Sequence, residues 1–379
     1  MPELPEVETV RSGLEPVLRG RRFVRVEQRR KDLRFPLPDR FAERLTGRKV
    51  ERLDRRAKYI LVHLDGGEVL VIHLGMTGRF SVTLSQRSER STGVPSPLVG
   101  EGQGGGDCRT SAVGIPPTPN PSPQGGGESA RRSGRRSNTP SPRLQGEGRG
   151  EGQPRTPKQG PAPHPNPLPA EERGEGIGEY TYAHGREAKH DHLVFTMSGG
   201  AVVTYNDARR FGYMELIPSG ELDAHAYFAG LGVEPLGHDL TPEYLARRSA
   251  AKKVDLKALL MDQRVVAGLG NIYVCEALFR AGLSPSKQAA RLATKTAKPT
   301  PAARRLVPQI KAVLREAIGA GGSTLRDYKQ ADGSIGAFQN AFQVYGREGE
   351  PCSRRGCRGR VRRKTQGGRS TFHCPVCQR

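Results

Sequence analysis

Met1-Pro2-Glu3-Leu4-Pro5-Glu6-Val7-Glu8-Thr9-Val10 opens the chain, and the reading of these ten residues governs that of the rest. Val7, Val10, Leu14 and Val17 recur at three- and four-residue spacing, and Pro5 and Glu6 suit a first turn, so a leading amphipathic helix is expected. A small second residue permits removal of Met1, which leaves Pro2 with a secondary amine. An α-amino group titrates near ~8, well below the ~10.4 of lysine, so more of it is unprotonated and nucleophilic at neutral pH. Attack on a sugar carbon followed by imine formation is natural for such an amine, with Glu3 and Glu6 beside it as acid or base. The same carboxylates also suit an acidic first turn favoured by the helix dipole, and the residues alone leave both readings open.

Beyond this helix the pattern turns to alternation. Strands are expected over 23–27 and 49–53, then over 59–64 and 68–74 joined by Asp65-Gly66-Gly67, and over 192–197 and 201–205 around Ser198-Gly199-Gly200. Glu234-Pro235-Leu236-Gly237 reads as a linker. Past it the period returns to that of helices, over 242–248, 256–262, 271–281 and 302–317. Residues 86–178 stand apart: Gly and Pro make up over a third of them and no Phe, Tyr or Trp occurs, so this segment is expected to be disordered. Its self-echoes, Thr118-Pro-Asn-Pro-Ser-Pro against His164-Pro-Asn-Pro-Leu-Pro, lack a packable apolar face and mark inserted low-complexity sequence.

The 379 residues carry 61 Lys and Arg against 39 Asp and Glu, a net charge of +22. Most of the excess lies outside the insert and suits a polyanionic partner, because each cation laid on a phosphate releases condensed counterions. Apolar runs too short to span a bilayer, with no signal-peptide pattern, point to a cytosolic and reducing location. Cysteines there suggest metal ligands or buried thiols. Cys352, Cys357, Cys374 and Cys377 form C-x4-C-x16-C-x2-C, the two-pair layout of a tetrahedral zinc site on a β-hairpin, and four thiolates leave no open position for water. Cys275, on a helix, is expected to be a core thiol. Arginines around the finger, among them Arg354, Arg355 and Arg369, suit a phosphate grip.

The opening decapeptide resembles the start of the bacterial formamidopyrimidine-DNA glycosylases, also called 8-oxoguanine DNA glycosylases. Further matches follow in family order: Arg56-Ala57-Lys58-Tyr59, His73-Leu74-Gly75-Met76-Thr77-Gly78, Lys189-His190-Asp191-His192 and Asp207-Ala208-Arg209-Arg210-Phe211-Gly212. They continue through Leu260-Met261-Asp262-Gln263, Gly268-Leu269-Gly270-Asn271-Ile272-Tyr273, Gly322-Ser323-Thr324-Leu325-Arg326-Asp327 and the finger, so the resemblance covers nearly everything outside 86–178. It implies an α+β multidomain fold. A catalytic β-sandwich with flanking helices would span 1–235, interrupted by the insert; a helix–two-turns–helix DNA-binding domain would span 236–340; a four-cysteine zinc-finger β-hairpin would span 341–379.

The resemblance also implies roles. Pro2 would be the Schiff-base nucleophile, Glu3 its proton-transfer partner in opening the sugar ring, and Glu6 a supporting group. Lys58 would assist β-elimination, although a lysine there otherwise reads as a strand-edge residue facing solvent. Arg369 would contact the lesion phosphate and act in δ-elimination. Met76, Arg209 and Phe211 resemble a trio that fills the void left by a flipped base, against the ordinary reading of Met76 and Phe211 as core residues. Asn271, which would also serve as a plain N-cap, is implied in phosphate binding at a helix N-terminus, with Lys253, Lys257 and His190 adding DNA contacts. Residues 321–339 resemble a loop that closes over the extruded purine.

The implied activity is a bifunctional base-excision glycosylase and lyase, acting as a monomer on oxidised purines in double-stranded DNA with one structural zinc ion. Two departures stand out: the insert, and the x4 spacing of the first cysteine pair where many relatives have x2. An endonuclease VIII-type enzyme for oxidised pyrimidines is the nearest competing reading; Leu4, Phe211 and the 321–339 loop weigh against it. A catalytically inactive zinc-finger DNA-binding protein is the other, and Glu3 and Lys58 weigh against that, since binding alone requires neither.

Overall fold

The computed structural model describes residues 2–84, 187–323 and 336–379. The leading helix, α1 (Leu4–Leu18), buries Val7, Val10, Leu14 and Leu18 along one stripe. Glu3 precedes it, and its backbone N–H donates to the Glu6 carboxylate at 2.8 Å, so the helix start is closed by a residue of its own first turn.

Two four-stranded antiparallel sheets follow. One runs β1 (Phe23–Gln28), β6 (Asp191–Met197), β7 (Ala201–Asn206), β5 (Arg79–Leu84); the other runs β2 (Val50–Arg56), β3 (Tyr59–Leu64), β4 (Glu68–His73), β8 (Tyr213–Pro218). Alternation along each strand decides which way its residues face. Ile60, Val62 and Leu64 point into the core between the sheets, where they meet Leu70, Ile72, Phe195, Val203 and the apolar stripe of α1. Leu61, Val69, Val71 and Ile217 point the other way and are covered by Phe228 and its neighbours, so β3 and β4 are apolar on both faces. Strands β5 and β8 are not among those expected from the sequence. Arg79-Phe80-Ser81-Val82-Thr83-Leu84 does alternate, but it runs straight into the low-complexity segment, which hides its pairing with β7.

The helical part comprises α2 (Phe41–Leu45), packed on β1, and a group formed by α3 (Pro242–Ser249), α4 (Leu256–Met261), α5 (Asn271–Ala281) and α6 (Pro301–Gly319). Leu306, Val307, Ile310, Val313, Leu314 and Ala317 give α6 a buried face at helical spacing. Between α4 and α5 the chain makes two turns, stapled by Gln263, whose amide donates to the Leu269 carbonyl at 2.9 Å and accepts from the Gly268 N–H at 2.8 Å. Strands β9 (Arg362–Gln366) and β10 (Arg369–His373) form the terminal hairpin, joined through Gly367 and Gly368 at φ +54° and +72°, a conformation glycine adopts without a side-chain clash. This hairpin packs Phe372 and Val361 on Cys275 and Phe279 of α5, and burial pushes the Cys275 thiol up to about 11, as expected of a core thiol. Segment 86–178 lies outside the described residues.

Candidate active site

The chain start is seated on the N-terminus of α5. Leu4 donates its N–H to the Gly268 carbonyl at 3.3 Å, and Glu3 Oε1 accepts the N–H of Ile272, in the first turn of α5, at 3.2 Å. Pro2 and Glu3 are both buried. The glycines of Gly268-Leu269-Gly270-Asn271 are there for this contact: a Cβ on Gly270 would stand 2.1 Å from the Glu3 carboxyl carbon. Gly270 is also the N-cap of α5, so Asn271 is the first helical residue rather than the cap.

Glu6 backs this arrangement. One oxygen accepts the Ser323 N–H and hydroxyl, each at 2.9 Å, and the Tyr273 hydroxyl; the other accepts the Glu3 N–H. The start of the 321–339 loop is thereby tied to the chain terminus, while residues 324–335 lie outside the described residues.

Lys58 lies in the turn between β2 and β3 and is buried, in contrast to the solvent-facing strand edge that its sequence position suggests. Ala57 before it takes φ +54°. The turn is held by Glu234, which accepts the Ala57 N–H and pairs with Arg56 at 2.9 Å and Arg55 at 2.8 Å. In sequence Glu234 reads only as linker; no local pattern marks a residue whose partners lie about 180 positions away.

Burial pushes the Glu3 carboxyl above the usual carboxylate range, against the pull of the Lys58 charge, and the neighbouring Glu6 carboxylate adds to the rise. Burial likewise depresses the Lys58 ammonium; Glu3 opposes this and the Arg369 guanidinium reinforces it. Both shifts run toward the uncharged forms, because burial penalises each charge. Glu3 Oε2 is buried with no hydrogen-bond partner, an orphan that a substrate oxygen could satisfy.

Arg369 begins β10, and the residues after it are clamped from the helical side. The Ser370 carbonyl accepts Asn271 Nδ2 at 3.0 Å, and Thr371 Oγ1 accepts Lys257 Nζ at 2.6 Å. Lys257 is therefore buried in the clamp, whereas Lys253 is exposed on the helical part. The four finger sulfurs lie within 4.8 Å of one another, with Cys352–Cys377 and Cys357–Cys374 each at 3.7 Å. A tetrahedron of thiolates around zinc at about 2.3 Å places its sulfurs about 3.8 Å apart, so the donor set fits that ion despite the x4 spacing. Gly359 leaves room for the cluster: a Cβ there would lie 2.6 Å from the Cys374 sulfur.

Met76, Arg209 and Phe211 come together on two touching loops at one end of the sandwich. A Cβ on Gly75 would lie 2.2 Å from the Phe211 backbone, and the Arg209 guanidinium sits 4.9 Å from the centre of the Phe211 ring. Met76 and Phe211 are half-buried and Arg209 is exposed, so neither apolar residue belongs to the core. The His190 carbonyl accepts the Asp207 N–H at 3.1 Å, which brings the third loop alongside.

Residues 1–98 match the family model of the formamidopyrimidine-DNA glycosylase N-terminal domain, and residues 231–329 that of the formamidopyrimidine-DNA glycosylase H2TH domain. The chain is 45% identical over 383 residues to the formamidopyrimidine-DNA glycosylase of Chelativorans sp. (strain BNC1), covering 100% of both chains. It is 47% identical over 378 residues to that of Methylobacterium sp. (strain 4-46), covering 100% of this chain and 99% of the relative. Among solved structures it resembles the MutM (Fpg) protein of Thermus thermophilus (31% identity, TM-score 0.63, 100% and 98% coverage). It also resembles the Lactococcus lactis Fpg in complex with DNA containing an abasic site (25% identity, TM-score 0.64, 100% coverage of both).

Proposed function

Because the chain belongs to the formamidopyrimidine-DNA glycosylase family, we propose that it excises oxidised purines, chiefly 8-oxoguanine and formamidopyrimidines, and then cleaves the strand by β,δ-elimination. The observation that carries this reading is the seating of Glu3 on the N-terminus of α5, next to the buried Pro2 and with the buried Lys58 close enough for its charge to act on Glu3.

With Met1 removed, the Pro2 nitrogen attacks the anomeric carbon of the lesion nucleotide. Glu3, which burial keeps protonated above the usual carboxylate range, gives its proton to the sugar-ring oxygen as the ring opens. The damaged base leaves and an iminium joins Pro2 to the sugar. Lys58, whose ammonium burial depresses, takes the proton whose loss drives β-elimination. Arg369 holds the lesion phosphate and assists δ-elimination, and hydrolysis of the imine returns Pro2.

The remaining assignments belong to the same reading. Met76 and Phe211 wedge the kinked duplex, Arg209 meets the widowed base, and His190, Lys253 and Asn271 contact DNA. Lys257 contributes through the clamp that sets Arg369. The finger carries one zinc ion, with the domains at 1–235, 236–340 and 341–379. A monomer in the bacterial cytosol, where thiolates stay reduced, suits this chemistry. Among the described residues no helix is long and apolar enough to cross a membrane.

Borohydride should trap the chain on duplex bearing 8-oxoguanine, and an uncleaved N-terminal tag should abolish trapping, since an amide nitrogen cannot form the imine. Equal trapping by the tagged chain would require another nucleophile. Release of 8-oxoguanine should outpace release of thymine glycol from matched duplexes; the reverse order would make it an enzyme for oxidised pyrimidines.

A further inference from the structure

Asp207 is fully buried and is the point where three loops meet. Its Oδ1 accepts the Thr77 hydroxyl; its Oδ2 accepts the Gly212 N–H at 2.8 Å and the Tyr205 hydroxyl at 3.2 Å. Its carbonyl accepts from His192 Nε2 at 2.9 Å, which fixes that ring with its proton on Nε2. The Thr77 hydroxyl, having given its proton to the carboxylate, has lone pairs free, and one of them accepts the Arg209 N–H at 3.2 Å. A hydrogen-bonded chain thus runs from the Asp207 carboxylate through the Thr77 hydroxyl to the backbone of Arg209. Thr77 directly follows Met76, and Gly212 directly follows Phe211.

We propose that Asp207 and Thr77 are positioning residues that lock the Met76 loop to the Arg209–Phe211 loop, so that the three side chains enter the duplex as one rigid wedge. This rests on the reading of Met76, Arg209 and Phe211 as void-filling residues. A carboxylate suits the task because it only accepts: two oxygens collect a hydroxyl from one loop and an N–H from the other, and the direction of the Thr77 proton is fixed. Tyr205, between the sheets, anchors the carboxylate to the sandwich. Both glycines leave space for the knot, since a Cβ on Gly78 would stand 2.4 Å from the Tyr205 hydroxyl and one on Gly212 1.8 Å from it.

Such a lock matters most where a base must leave the stack. An abasic sugar has no base to unstack and needs the wedge far less. Thr77→Val keeps the shape and removes the hydroxyl; Thr77→Ser keeps the hydroxyl. Single-turnover release of 8-oxoguanine from duplex should fall about tenfold in Thr77→Val, while cleavage of a preformed abasic duplex stays within about twofold of wild type. Thr77→Ser should restore base release. A 2-aminopurine opposite the lesion should brighten more slowly in Thr77→Val, reporting slower unstacking. Unchanged base release, or equal loss on both substrates, overturns the proposal. Phe211→Ala, run in parallel, separates the two levels: if it slows base release and Thr77→Val does not, the lock is wrong and the wedge stands. If Phe211→Ala has no effect, the wedge reading falls and takes the lock with it.

Discussion

Lys58 illustrates how far a single residue's surroundings decide its chemistry. In water its amine would stay charged at neutral pH; buried beside Glu3 and within reach of Arg369, it is pushed toward the neutral form. Glu3 shifts the opposite way in pKa and the same way in charge. For Glu3 the sign is explicit: a raised value means the proton-donating form is complete at low pH and is lost as pH rises through that value, which gives base release an alkaline limb. The Lys58 charge lowers the Glu3 value, so Lys58→Met should move that limb to higher pH in single-turnover rate profiles. The same variant should slow β-elimination on a preformed abasic site by about a hundredfold, the usual worth of a positioned base. A limb that stays put would show that the two groups do not sense each other.

At the level of elements, the decisive meeting is between the start of α1 and the start of α5. Only the first turn of α5 has free N–H groups, Ile272 donates one of them to Glu3, and the glycine before the helix lets the carboxylate approach. Gly270→Ala would drive a methyl group into the Glu3 side chain while leaving both helix cores intact. Base release should drop by about a hundredfold or more with the circular dichroism spectrum unchanged, because the loss is one of geometry at the acid. Activity within a few-fold of wild type would mean that Glu3 finds an equivalent place elsewhere.

Across the whole molecule, the site is assembled from the sandwich, the helical part and the hairpin, and the hairpin depends on its cysteines. The purified protein should hold one zinc per chain by elemental analysis. Stripping it with a strong chelator should free β9 and β10 from α5, carry Arg369 away from Lys58, and weaken binding to abasic-site duplex by about tenfold to a hundredfold. Affinity that survives complete zinc loss would place the phosphate grip outside the finger. Glu234 has an equivalent part between sandwich and helical part, since it reaches from after the last strand of the sandwich to hold the Lys58 turn.

Local pattern was enough for much of this. The apolar period of α1, the paired glycine turns, the helices at 256–262 and 271–281 and the two cysteine pairs follow from side-chain spacing, because helices, hairpins and knuckle-like metal sites are built from neighbours in the chain. The Pro2 amine and the carboxylates of Glu3 and Glu6 were visible too, yet the decapeptide alone could not choose between an acidic first turn and a reaction centre. Tertiary structure supplied the seating of Glu3 on α5, the burial of Lys58, the position of Lys257 in the hairpin clamp, the part played by Glu234 and the knot at Asp207. In each case the deciding quantity is loss of water and the arrival of a charge or donor from a distant stretch of chain, and neither is encoded in the spacing of adjacent residues.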